Sequence, residues 1–452
     1  MKRKIDATQG PLLRLIFVYT LPLILTTIMQ HLFEVVDKAV LGNMADTVAV
    51  ASVGATSSIT SLIINGFVGL SAGTSIVLAR FIGQKDEDKI RRTIDTSLMA
   101  GVGFGMFVAI VGVLSAPLFL RMTDCPEACF EGALIYIRIY IAAAPATLLY
   151  NYGSAVLRTL GDTQRPLYYI TVAGVVNVVL NVILCLILPQ KVAAVAIATI
   201  ASKVIGAILV MNRLCHFEDS AKVNLRRMHF SFSALRLILR FGVPSAISNL
   251  IYPLANLQIT TAINSYGVEA VAGNSAAGSI ANFSHAITGG FGTAATTFMG
   301  QNIGAKKPER VRRSFAYCLI FSILLGGMSG LFFHLTGRFW IGLIVGSSAK
   351  EAIEFGMIRS FWVTQIMFVN GANAVLSHSL QAYGYPVFSS INSIVFTLGF
   401  RVVWMQLIYP HFQTFSMVMA CFAVSWLLIL CFNSVAVAIF THRYNRGRYR
   451  RI

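Results

Sequence analysis

Two carboxylates three residues apart, Glu34 and Asp37, lie inside a long apolar stretch, with Lys38 directly after the second. A charge near the centre of a bilayer costs about 2.5–3.5 kcal/mol on insertion scales, so an acid there needs a use. Its available chemistry is to hold a cation or to take up and release a proton. Asn177 and Asn181 stand one helical turn apart in the NVVLN segment, which lets two amide oxygens serve one ion. Lys203 falls near the middle of another apolar stretch, where its stem reaches neither interface easily. Enzymatic chemistry would need a nucleophile with a base, or an acid pair in a wet cavity. Glu34 with Asp37 is the one acid pair inside a span, so an enzyme is not expected. His31 and His285 read as donors between helices rather than metal ligands. Cys125 and Cys129 lack the further Cys or His pair that zinc would need, and a local disulfide between them stays open.

The elements that must carry these residues follow from composition: 56% of the chain is hydrophobic and 12% charged, too little polar surface for a dissolved protein. Apolar stretches long enough to cross a hydrocarbon core of about 30 Å recur throughout. They fall at 13–38, 50–79, 95–118, 133–152, 167–189, 192–214, 236–263, 275–299, 314–335, 355–376, 387–409 and 415–441. The first follows Lys2, Arg3 and Lys4 as a signal peptide would. It is too long for one and lacks a small-residue cleavage site, so a retained helix is expected.

The formal charge of +18 invites nucleic acid as a partner, but its distribution points elsewhere. Of 36 Lys and Arg, 27 fall in alternate loops, at the span ends beside them and in the tail, against Arg121, Lys191, Arg338 and Lys350 opposite. Lys38, Arg138, Lys203, Arg359 and Arg401 lie inside spans. This positive-inside bias predicts a multi-pass inner-membrane protein with both termini cytoplasmic, and no nucleic acid. The basic tail is then a topology anchor beside anionic lipid.

The chain also repeats. AVASVGATSSI at 49–59 lies over AVAGNSAAGSI at 270–280, and at the same offset IGQKDEDKIRR at 82–92 lies over IGAKKPERVRR at 303–313. LRTLG at 157–161 resembles LQAYG at 380–384, and Leu21-Pro22 resembles Val243-Pro244. An even number of spans separates matching positions, so the repeats run parallel. The expected fold is an all-α integral membrane protein of about twelve transmembrane helices in two six-helix lobes. The lobes are expected at 1–214 and 236–452, with a cytoplasmic linker at 215–235.

The chain resembles the multidrug and toxic compound extrusion (MATE) transporters. The resemblance rests on Leu21-Pro22, VDKAVLG at 36–42, ARFIGQKD at 79–86, LRTLGDTQRP at 157–166, NVVLN at 177–181 and GFGTAATTFMGQNIGAKK at 290–307. It implies a V-shaped pair of lobes that alternates between inward and outward openings. It further implies export of small amphipathic or cationic compounds in exchange for H+ or Na+, with no cofactor, by a monomer in the lipid bilayer. The positions matching the family's ion site are Asp37, Tyr136, Asn177, Asn181 and Thr199, all in the outer half of the membrane by residue count. Glu34, Lys38 and Lys203 depart from the family pattern, and a Glu34–Lys203 charge pair is expected. An ammonium there would repel Na+ and tilt the coupling towards protons. In the second lobe Asn256, Gln258, Asn282, Phe283, His285, Phe291 and Met299 offer a polar, aromatic and thioether mixture for a substrate cavity. A flippase of lipid-linked precursors is the alternative. It would need cations lining a cavity, and Arg138, Lys203, Arg359 and Arg401 look scattered along the chain.

Overall fold

The computed structural model describes residues 5–44, 47–123, 125–217 and 221–446; the side chains of residues 34, 35, 37–39, 41, 43 and 47 lie outside the description. Every regular element among the described residues is helical. The first half holds α1 (Leu12–Met44), α2 (Thr47–Ala55), α3 (Ser57–Gln84), α4 (Glu87–Met122), α5 (Glu127–Ala142), α6 (Ala144–Thr159), α7 (Gln164–Ile187) and α8 (Lys191–Cys215). After the connection at 216–231 come α9 (Phe232–Asn264), α10 (Val268–Gly304), α11 (Pro308–Leu335), α12 (Gly337–Val345), α13 (Lys350–Arg359) and α14 (Met367–Tyr383). The chain closes with α15 (Pro386–Asn392), α16 (Phe400–Val403) and α17 (Phe415–Asn445).

Among the described residues, nine helical stretches are long and apolar enough to cross a membrane. Two bent pairs, α5–α6 at 46° and α13–α14 at 42°, each add a further span. The 37-residue α10 occupies the place that α2 and α3 occupy in the first half, which completes the expected twelve. Helices are the only open-ended answer to a bilayer, because each backbone donor finds its acceptor within the same segment.

The repeat extends to the backbone. Lys85 closes α3 in the left-handed region at φ 58°, and Lys306, its counterpart in the repeat, does the same after α10 at φ 55°. Gly161 and Gly384, the last residues of LRTLG and LQAYG, both turn the chain at positive φ, 87° and 100°. The turn into α4 is capped by Asp86, whose side chain accepts from the Lys89 backbone N–H at 3.1 Å. The Lys89 ammonium at 2.8 Å holds that carboxyl below its ordinary range.

The chain divides into two compact units, Met1–Ile5 with Leu25–Ala246, and Asp6–Ile24 with Ile247–Ile452. The division falls within α1 and α9, not in the 216–231 connection. Within the first unit, the start of α9 lies so close to α3 that a Cβ on Gly69 would collide with the Ala246 backbone. Within the second, the start of α1 lies on α10, where a Cβ on Gly290 would meet Ile24 Cγ1 at 2.7 Å. Gly290 is the counterpart of Gly69 in the repeat, so the same glycine seam is used twice. Phe17 meets Phe291 and Phe321 edge-on at 6.2 and 4.5 Å, and Tyr19 shares a 2.9 Å hydrogen bond with Thr297.

Candidate ion and substrate sites

In the first unit α5, α7 and α8 carry buried polar side chains, and an apolar cluster joins the three helices. Tyr136 and Tyr140, one turn apart on α5, stack at 6.0 Å with planes 20° apart. They are embedded with Cys185, Val192, Val195 and Ala196 from the end of α7 and the start of α8. Lys191 closes that corner. Its ammonium donates to the Cys185 and Leu188 carbonyls at 2.6 and 3.0 Å, where the end of a helix presents negative charge.

Asn177 and Asn181 are buried in α7 at 4% and 0% exposure, and the Asn181 amide donates to Asn177 Oδ1 at 3.3 Å. Thr199, half-buried on α8, donates its hydroxyl to the Val195 carbonyl at 2.9 Å, which leaves its oxygen lone pairs as acceptors. Four residues on, the Lys203 ammonium donates to Tyr140 Oη at 2.9 Å and sits 4.2 Å from the centre of that ring. Tyr140 was not among the residues expected from the sequence. The signal lay in its spacing, because α5 places it one turn from Tyr136 and so on the same face.

Helix α1 reaches this group through Phe33, which lies so close to α7 that a Cβ on Gly174 would collide with its ring. The side chains of Glu34, Asp37 and Lys38 lie outside the described residues, so the expected Glu34–Lys203 pair does too. Cys125 and Cys129 are unbridged thiols.

In the second unit the expected cavity residues separate. Phe291 and Met299 are enclosed by packing at 1% and 0% exposure, and Gln258 is exposed. Asn282 and Phe283 are half-buried, with Phe283 6.1 Å from the Phe333 ring. His285 ties three helices together, since Asn370 lies 2.9 Å from its Nδ1 and Trp426 meets its ring edge-on at 6.0 Å. Asn256 accepts a 2.9 Å hydrogen bond from Arg401 Nη1.

Arg401 and Arg359 depart from the expectation that the cations within spans are scattered. The two guanidinium carbons lie 4.4 and 5.7 Å from the centre of one ring, Phe422 of α17. Arg401 is 1% exposed and also faces the Tyr252 ring at 5.4 Å. Arg359 donates to Asn274 Oδ1, while its buried Nε has no hydrogen-bond partner among the described residues. Depth counting could have found this pair. Consecutive spans run in opposite directions, so Arg359 near the start of the tenth and Arg401 near the end of the eleventh fall in the same half of the membrane.

The MatE family model matches the chain twice, at 22–183 and 244–405. The probable multidrug resistance protein YoeA of Bacillus subtilis is 24% identical over 425 residues, covering 91% of this chain and 91% of that protein. An FAD transporter of Shewanella oneidensis is 25% identical, covering 72% of this chain and 74% of its own. The fold is that of a solved multidrug resistance MATE family transporter of the MOP superfamily in an outward-facing conformation, with a TM-score of 0.88 at 20% identity, covering 98% of this chain and 99% of that one. With the family model covering most of its length in two copies, the chain belongs to the MatE family of membrane transporters.

Proposed function

We propose that the chain is a secondary active antiporter that expels small amphipathic organic compounds from the cytoplasm in exchange for an inward-moving cation. It would act as a monomer in the inner membrane, with both termini cytoplasmic. The observation that carries the coupling is the set of polar side chains buried in the first unit, Asn177 and Asn181 on α7 and the stacked Tyr136 and Tyr140 on α5, in a protein of a transporter family. The ion site is Asp37, Tyr136, Asn177, Asn181 and Thr199. Asp37 belongs to it because α1, four residues earlier at Phe33, packs onto α7 at Gly174, one turn from Asn177.

Lys203 favours H+ over Na+. Its ammonium is held on Tyr140, one stacked ring from Tyr136, and like charge raises the cost of bringing Na+ there. Asp37 would carry the proton, with Glu34 balancing Lys203. The energetics suffice, since one charge crossing 100 mV supplies about 2.3 kcal/mol. A hundredfold gradient of exported compound costs about 2.8 kcal/mol. A modest pH gradient covers the difference.

For the exported compound, Asn256, Asn282, Phe283 and His285 remain the half-buried contacts of the second unit. The flippase reading gains little from the corrected arginine geometry. Arg138 and Lys203 belong to the other unit, so a single pair of guanidiniums stands where a cavity lined with cations would be needed. The test is efflux from proteoliposomes with imposed pH and Na+ gradients compared separately. Asp37→Asn should abolish gradient-driven efflux in a protein that still folds. Full transport by that variant removes the ion site as proposed.

A further inference from the structure

We propose that Arg359 and Arg401 form a receptor for an anionic group, a carboxylate or a phosphoryl, on the compound this protein transports. The substrate class is thereby organic anions and zwitterions. The proposal rests on the exporter reading for the word transported, and on the second unit alone for the site.

Two guanidiniums within a membrane-spanning unit need compensation. Each ion taken from water loses hydration that only a counter-charge or several hydrogen bonds can replace. Here the replacements are neutral. Arg401 has Asn256 Oδ1 at 2.9 Å and Ser425 Oγ at 3.4 Å from both Nε and Nη2, and Arg359 has Asn274 Oδ1. Among the described residues neither makes an ion pair, and the Nε of Arg359 is buried without an acceptor. The Phe422 ring attracts both cations through its face but carries no charge. The site therefore holds two positive charges against one ring, with donor capacity to spare. Guanidinium forks match carboxylate and phosphate oxygens bidentately.

The backbone around the pair is also unusual. Arg359 is the last residue before a π-helical turn at Ser360–Thr364. Arg401 lies in the four-residue α16 between π-helical stretches at Ser393–Gly399 and Trp404–Ile408. These are all the π-helical segments among the described residues. Such turns cost hydrogen-bond geometry, persist mostly where function holds them, and re-aim the side chains at their borders. Arg359 is partly exposed as a residue where Arg401 is fully covered, which makes Arg359 the better position for substitution.

The experiment uses the full purified chain in phosphatidylcholine nanodiscs, with no gradient, so that binding is read apart from transport. The probes are 5-carboxyfluorescein, 4-methylumbelliferyl phosphate and the cationic dye ethidium, with phosphatidylglycerol added to the discs in a separate arm. Saturable binding of at least one anionic probe is expected, weakened tenfold or more by Arg359→Gln and largely kept by Arg359→Lys, while ethidium binding moves less than twofold. Arg401→Gln is the second variant, scored only if its melting temperature stays near that of the parent. Three outcomes overturn the proposal: no anion binding by the parent, equal loss of anion and cation binding in Arg359→Gln, or occupancy by phosphatidylglycerol alone. Anion binding without gradient-driven efflux would instead sink the exporter reading and leave the receptor standing.

Discussion

Lys203 and Tyr140 offer a sharp test of the first-unit site, because the structure gives both the hydrogen bond and the ring contact. Tyr140→Phe keeps the ring and deletes the hydroxyl that accepts from the ammonium at 2.9 Å. A hydrogen bond to a charged group is worth about 1.5–3 kcal/mol, so a loss of about 2 kcal/mol is expected. Tyr140→Leu also removes the ring 4.2 Å from the ammonium and the stack on Tyr136. A desolvated cation–π contact adds about 2 kcal/mol and the aromatic pair about 1 kcal/mol, for a total of about 5 kcal/mol. In a Lys203→Met background the hydroxyl no longer faces a cation, so Tyr140→Phe should cost far less, with a coupling energy of about 1.5 kcal/mol. Reversible unfolding by dodecyl sulfate in mixed micelles reads these differences directly. The same ammonium lies within about 10 Å of the Tyr136 ring, where a unit charge costs a second one about 1.7 kcal/mol at an effective dielectric of about 20. Lys203→Met should therefore raise Na+ affinity about 15-fold. Additive stabilities would refute the Lys203–Tyr140 contact, and an unchanged Na+ response would remove the reason for favouring protons.

The Glu34–Lys203 pair predicts that Lys203→Met alone destabilises the protein and that adding Glu34→Gln recovers part of the loss, measured as a thermal double-mutant cycle; strict additivity counts against the pair. Gly69→Leu should lower stability by about 3 kcal/mol or more, since the side chain has the Ala246 backbone against it, whereas Gly103→Leu on α4, where no atom lies within 4 Å of a Cβ, should change little. Equal melting temperatures for the two variants would undo the glycine seam. A Cys placed after Arg451 should escape membrane-impermeant labelling in intact cells, as the loop charges require, and extracellular labelling there would invert the topology.

Much of this protein is written in local pattern. Runs of about 20 apolar residues can satisfy their backbones in lipid only as helices, so the spans could be counted from the sequence. The internal repeat predicted matching halves, and the left-handed lysines at 85 and 306 and the turn glycines at 161 and 384 show it acting on the backbone. Asn177 and Asn181 could be placed on one face because helical periodicity alone decides that. Three things needed the tertiary structure. The beginnings of α1 and α9 join different compact units from their ends, and an apolar helix reads the same whichever neighbour covers it. Lys203 rests on Tyr140, which shares a face of α5 with Tyr136 by spacing but which only the rotation of α5 against α8 could bring to the ammonium. Arg359 and Arg401 share the Phe422 ring although they are far apart in the chain, because the phase at which two helices meet is set by packing and by the π-helical turns between, and neither leaves a period in the sequence.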